Sequence, residues 1–533
     1  MRCIPLLFLA EALLLQWLGG AYASGFGGHP DEAAHFVSSV MVHDFLVHPT
    51  SHPLAFAQQF YLHYPKVAIG NWPPLLHALL ALWYLVFGVS RASALMLVAV
   101  FAASTATLMA LAGRRLLSPL AGVFAGAVYL ALPLAQQSLA VVMTEHLVTL
   151  LIFASSLAFA WFARCRTSSA ALLFSALASA AILTRGSGWA LVLVPPIVMI
   201  LTRDWRLLAA WRLWLAGLLV AALCVPWYVG TRGMSPNAMV GIDPNAPTAF
   251  FRQAAVYFPL AALRAVGVLL ALLAALGVWR TLVKRQPSAQ SSAAPASEWP
   301  ALAAMTISVL LIQCLVAAGL EHRYMLQLLP ALVLFGAAGL DWLPAVGARK
   351  AVWSAATLLI LLMVFRLPHA MRNSGYEQIA ADLAGQATPT LLLISDARGE
   401  GSMIAAVALR DHRPHTLALR GSKLLVSEDW LGRASQPRFA SAQAMRSMLD
   451  AVPVYAVLID HAIEAMQARP YHQQIEQLLK AHPEDWRLAA SYDITRYGQR
   501  QARAVDVYLR RQGGDSSAQA VNLAYVGQLM QRN

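Results

Sequence analysis

Charge is scarce in this chain. Asp, Glu, Lys and Arg make up 12% of 533 residues, about half of the roughly 25% typical of a soluble protein. So little charge cannot cover a water-facing surface, which excludes intrinsic disorder, a coiled coil and a simple soluble enzyme. Cysteine is also rare. Cys3, Cys165, Cys224 and Cys314 lie in or beside apolar runs without metal-ligand spacing, which argues against a disulfide framework and a structural zinc site. The apolar runs lack period-two alternation, which argues against a β-barrel. No Walker-type phosphate loop is present.

What the chain has instead is apolar length: 59% hydrophobic residues and a mean hydropathy of +0.57. Runs near 20 residues predict a polytopic α-helical membrane protein. The expected spans are 4–22, 92–113, 117–137, 145–163, 168–184, 188–202, 209–229, 259–279, 300–319, 325–344 and 351–367, about eleven in all. Ala21-Tyr22-Ala23 resembles a signal-peptidase site, but the basic region offers only Arg2 and Glu11 interrupts the run, so the first run is read as a retained helix.

The net charge of +13 is not a nucleic-acid signature, because the basic residues cluster between apolar runs. With the N-terminus inside, the inner connections carry Arg2; Arg114 and Arg115; Arg164 and Arg166; Arg203, Arg206 and Arg212; Arg280, Lys284 and Arg285; and Arg349 and Lys350. The outer connections are mixed or acidic. This parity requires that 74–88, only 15 residues long, lie at the outer interface or re-enter. Residues 1–367 are then the transmembrane domain, with a first outer loop at 23–91, and 286–298 (QPSAQSSAAPASE) is a flexible cytoplasmic linker. From about residue 370 charge becomes frequent. Strand-like stretches (390–395, 415–419, 454–459, 504–509) interleave with helix-like ones (376–383, 403–409, 473–481). They predict a C-terminal α/β domain, 370–533, on the outer side, for recognition or scaffolding. Its turn Ser395-Asp396-Ala397-Arg398-Gly399-Glu400-Gly401 could cradle a phosphate at a helix N-terminus, but a βα turn without a ligand is the preferred reading.

The informative polar residues collect on the predicted outer side: His29-Pro30-Asp31-Glu32-Ala33-Ala34-His35, Glu145-His146, Thr184-Arg185-Gly186 and Glu321-His322-Arg323-Tyr324. Ionisable groups at membrane level are costly and point to function. Acids beside arginines at a bilayer surface suit a lipid-phosphate substrate, with Arg holding phosphate and a carboxylate acting as general base. Without a Walker motif, the energy must come from an activated, lipid-linked donor. Lys66 in the first outer loop and Arg264 in the run 259–279 complete the candidate binding set with His35, Arg185, Glu321, Arg323 and Tyr324.

In this order the pieces resemble the GT-C class of integral-membrane glycosyltransferases, in its protein mannosyltransferase-like and lipid A aminoarabinose transferase-like branch. The resemblance rests on an apolar first helix, PDEAAHF (30–36), YPKVAIGNWPPLLHALLALWYLVFG (64–88), Arg114-Arg115-Leu116, Glu145, Leu183-Thr184-Arg185-Gly186, Pro226-Trp227-Tyr228 and Arg323-Tyr324-Met325-Leu326 with Pro330. It implies catalytic roles for Asp31 as base, for Glu32 and for Glu145. It also implies that Arg185, Arg323 and Tyr324 lie near the lipid phosphate and sugar. If a divalent metal (Mg or Mn) takes part, Asp31, Glu32 and Glu145 are its candidate ligands. The implied partners are a polyprenyl-phosphate sugar donor, a glycan, lipid or protein acceptor, and membrane lipids at the outer face of the inner membrane. In the aminoarabinose branch a Lys stands directly before the Pro of the interfacial helix; here Trp72 precedes Pro73 and the nearest Lys is Lys66. The alternative is a transporter or flippase of a lipid-linked substrate, which would want polar residues at mid-bilayer; here the span midpoints are Leu/Ala/Val-rich.

Overall fold

The computed structural model describes residues 3–232, 234, 248–284, 298–316, 319–341, 373–383, 390–427, 436–439, 441–452, 454–461, 470–496 and 503–511. Among these, six helices are long and apolar enough to cross a membrane: Arg91–Leu116, Glu145–Cys165, Trp211–Gly230, Ala249–Val283, Glu298–Leu315 and His322–Leu340. The pair Pro119–Ala131 and Pro133–Leu139, bent by 63°, makes a seventh.

The remaining expected spans differ. Run 4–22 yields a 15-residue helix, Ile4–Leu18. Run 168–184 also yields 15 residues, Ser168–Ile182. Run 188–202 splits into a 3₁₀ turn, Gly186–Val192, and a nine-residue helix, Val194–Thr202, whose second and third residues, Pro195 and Pro196, lack the N–H that would continue the preceding turn. The run 351–367 and the linker 286–298, apart from Glu298, lie outside the described residues.

Burial separates inner helices from outer ones. Met325, Leu328 and Leu334 of the last described span are fully buried, whereas Leu218, Val268 and Leu272 on the Trp211–Gly230 and Ala249–Val278 helices are 64–65% exposed. A broad exposed apolar face has no place in water and suits lipid. The first helix is tied in by Gln16, whose buried amide donates to the carbonyls of Leu95 (2.8 Å) and Leu139 (2.9 Å).

The segment between the first helix and Arg91–Leu116 is largely helical. It contains helices Glu32–Val47, Pro53–His63 and Leu75–Phe87. The C-terminal sheet runs in the order 417–420, 390–394, 456–460, 503–510, 486–494. The first three strands are parallel and the last two antiparallel to their neighbours. Strand Thr390–Ile394 is buried throughout. Leu391 and Leu393 face one core with Met403, Ile404 and Ile379, while Leu392 and Ile394 face another with Met448, Leu449 and Ile475. That is period-two burial with helices on both faces.

The α/β part rests on this segment between the first helix and Arg91–Leu116. Ser402 Oγ donates to the Phe26 carbonyl (2.8 Å), the Arg413 guanidinium grips Asp44 (2.6 and 3.1 Å), and Tyr64 OH donates to Asp411 (2.8 Å). Gly27 has φ +109° and a Cβ there would run into Ser402 Oγ, so this approach needs glycine. The turn 395–401 is not an open phosphate cradle. Asp396 caps the helix Ala397–Arg410, accepting from the amides of Arg398 (3.0 Å) and Gly399 (2.7 Å).

Candidate active site

The sequence segments that carry Asp31, Glu145, Arg185 and Arg323 meet at one end of the helical bundle. Asp31 directly precedes the helix Glu32–Val47, and Glu145 opens Glu145–Cys165, where a carboxylate complements the helix dipole. Arg185 and Glu321 are extended residues leading into the two 3₁₀ turns, Gly186–Val192 and His322–Leu328. These breaks turn polar side chains out of what would otherwise be apolar rods. Arg164 and Arg166 lie at the other end of the Glu145–Cys165 region. At 1.5 Å per residue they are about 30 Å from the site.

Arg323 is the hub. Its Nη1 donates to Glu145 (2.9 Å), its Nη2 to Asp31 (3.1 Å) and Glu321 (3.2 Å), and its Nε to Glu321. All three nitrogens are therefore engaged by carboxylates. Arg185 donates through Nη1 to Glu145 (2.6 Å) and Thr144 (3.3 Å); its Nε and Nη2 make no hydrogen bond among the described residues. The Tyr324 ring lies under both guanidiniums, 4.4 Å from that of Arg185 and 5.4 Å from that of Arg323.

His29, unassigned from sequence, completes the network. Its Nδ1 accepts from the Asp31 amide (3.1 Å), which assigns the proton of the neutral ring to Nε2, 3.2 Å from Glu321. Burial alone would raise the Glu321 carboxyl. Hydrogen bonds from His29 and Arg323, with the guanidinium charge, hold it well below the usual carboxylate range. Asp31 stays 22% exposed, and its Oδ1 accepts no hydrogen bond among the described residues. A carboxylate oriented through one oxygen and open at the other can take a proton from a bound hydroxyl.

Glu32 is not brought into this network. It is fully buried, with Arg91 Nε (3.0 Å), Arg91 Nη2 (2.9 Å) and the amides of Gly27 (3.1 Å), Gly28 (3.0 Å) and Val142 (3.3 Å) on its two oxygens. Five donors fill its acceptor capacity. Asp31, Glu32 and Glu145 thus do not present a common set of lone pairs to a metal. Asp31 and Glu145 instead share a guanidinium. Arg91 was the missed partner; its signal was an arginine at the very start of an apolar run. Among the described residues, metal-ligand spacing occurs at His482, Glu484 and Asp485, where Arg446 already donates to Asp485 at 2.6 Å.

His35 is fully buried, Glu145 is the charge that acts on it most strongly, and its Nδ1 meets His77 Nε2 at 3.1 Å. Lys66 lies at the seam with the α/β part, donating to the Ala397 carbonyl (3.0 Å). Burial, with Arg420 nearby, pushes its ammonium down to about 7. Arg264 is exposed on the helix Ala249–Val278, three residues before the break at Gly267 (φ +75°), and takes no part in the network.

No family model matches the chain, and no curated protein does. Solved structures do. ArnT from Cupriavidus metallidurans, bound to undecaprenyl phosphate, superposes with a TM-score of 0.58 at 14% identity, over 94% of this chain and 97% of that one. The Archaeoglobus fulgidus oligosaccharyltransferase, in complex with Zn and sulfate, gives 0.55 at 14% identity over 88% and 69%. The AglB oligosaccharyltransferase of the same organism, with an inhibitory peptide and a dolichol-phosphate, gives 0.53 at 11% identity over 98% and 77%. The chain therefore has the fold of the integral-membrane GT-C glycosyltransferases: an apolar helical bundle, here joined to a C-terminal α/β part.

Proposed function

We propose that the protein transfers a sugar from a polyprenyl-phosphate carrier to a hydroxyl of a lipid, glycan or protein acceptor, at the outer face of a bacterial-type inner membrane. The observation that carries this reading is the Arg323 hub, which joins one open-sided carboxylate, Asp31, to a buried acid and a second arginine at a single membrane-proximal point. Fold relatives solved with undecaprenyl phosphate and dolichol-phosphate support a lipid-phosphate donor.

In the reaction, Asp31 Oδ1 accepts the acceptor hydroxyl proton as that oxygen attacks the anomeric carbon. The bond from that carbon to the phosphate oxygen breaks, and polyprenyl phosphate leaves with the electron pair. Arg185 has donors to spare and receives the growing phosphate charge, while Arg323 fixes Asp31 and Glu145. This divides the roles that the resemblance gave jointly to Arg185 and Arg323. Glu32 and Arg91 hold the loop that presents Asp31. The α/β part braces that loop from outside, on the periplasmic side in this reading, and no step requires a divalent metal.

Mass spectrometry of a strain lacking the protein tests the proposal. The sugar-bearing carrier lipid should accumulate, and one glycan or lipid fraction should lose one sugar mass. Unchanged carrier and glycan fractions would overturn it.

A further inference from the structure

Among the described residues, two buried polar atoms at the network have no hydrogen-bond partner. His35 is fully buried and Glu145 is 2% exposed, yet His35 Nε2 and Glu145 Oε2 each lack a hydrogen bond. The other atoms of both groups are satisfied: His35 Nδ1 by His77, and Glu145 Oε1 by Arg185 and Arg323. Buried polar groups are almost always paired, so two orphans on electrostatic neighbours point to something that completes them. Glu145 can only accept. Neutral His35 can donate through Nε2 when His77 donates to its Nδ1. A hydroxyl group, which accepts and donates at once, satisfies both.

Burial keeps His35 itself neutral, its pKa pushed down to about 3 against the opposing pull of Glu145, with Arg323 and Arg185 adding to the drop. The indole of Trp72 lies 4.8 Å from the His35 ring and is only half-buried, so it offers an amphipathic aromatic face at the edge of the pair.

Building on the glycosyltransferase reading, we infer that His35, Glu145 and Trp72 form a sugar-recognition subsite, in which the pair binds one hydroxyl of the transferred sugar and Trp72 covers the ring. The substrate class is then a sugar that carries a free hydroxyl at the position facing the pair.

The test uses the full-length purified protein with undecaprenyl-phosphate glucose and mannose, their monodeoxy analogues, and undecaprenyl phosphate alone. Wild type should discriminate against one deoxy position at least about tenfold in kcat/KM. His35→Ala should collapse that ratio toward one while binding of undecaprenyl phosphate alone stays unchanged. Should His35→Ala not fold, Trp72→Leu, at a half-buried position, decides instead: it should weaken sugar-bearing donors and spare the bare carrier. Turnover with unaltered deoxy discrimination in both variants, or no deoxy discrimination by wild type, would overturn the subsite while leaving the transferase reading intact. Absence of transfer from every donor would overturn both.

Discussion

Replacing Arg323 by Lys separates two roles for this residue. The guanidinium reaches Asp31 at 3.1 Å and Glu145 at 2.9 Å and grips Glu321 as well, from a position 12% exposed. A lysine keeps one charge but loses the planar fork, and it cannot span three carboxylates in fixed directions. Removing a partner from a buried pair outright costs about 3–5 kcal/mol. Lysine keeps part of that interaction, so folding should survive with a lowered melting temperature. The larger effect falls on Asp31. A catalytic group misplaced by about 1 Å can lose about 100-fold in rate. Single-turnover kinetics should therefore show kcat reduced about 100-fold in Arg323→Lys with carrier affinity little changed, because Arg185 keeps its free donors. A variant with normal kcat and a weakened donor KM would refute this reasoning and make Arg323 the phosphate ligand. A variant normal in both would make it an anchor.

Glu32→Gln should lower the melting temperature, because it discharges a fully buried partner of Arg91, and should reduce kcat far less than changes at Asp31; the reverse pattern, full stability with lost turnover, would restore Glu32 to the chemistry. His35 has a folded pKa near 3 against about 6.5 unfolded, so between those values the unfolded chain binds more protons, and stability should fall as pH drops from 6.5 toward 3. Thermal melts of His35→Gln should show a shallower decline over that window, and an identical slope would contradict the shift. For topology, an impermeant thiol reagent on intact cells should label Lys480→Cys, at an exposed site of the α/β part, and leave the native exposed Cys165 unmodified; the opposite result would invert the orientation.

Asp31, Glu145, Arg185, Glu321, Arg323 and Tyr324 were legible because an ionisable residue at the end of an apolar run stands out against so little charge. Their convergence was legible only as a shared side. The two 3₁₀ breaks and the 63° bend escaped, since hydropathy measures apolar length and not continuity of hydrogen bonding. The division between Asp31 and Glu32 escaped for a related reason: neighbours in sequence at a helix start point in different directions, and only Arg91, 59 residues away, shows which of them is held. In the α/β part, strands with apolar runs were found, whereas Trp486–Ile494, an edge strand mostly open to solvent, carries no alternation to read. The breaks also bear on the transporter alternative, which expects them at mid-bilayer. Here they present their polar residues at the Asp31 end of the bundle.

The most direct test is the fate of the bond between sugar and carrier. Purified protein in proteoliposomes, given undecaprenyl phosphate carrying a radiolabelled sugar and an acceptor extract, should release free undecaprenyl phosphate in step with label appearing on the acceptor. Asp31→Asn, which keeps size but removes basicity, should slow that release at least about 100-fold while still binding donor. Label that crosses the bilayer still attached to its carrier, at equal rates in wild type and Asp31→Asn, would contradict the account and make the protein a lipid-linked sugar transporter.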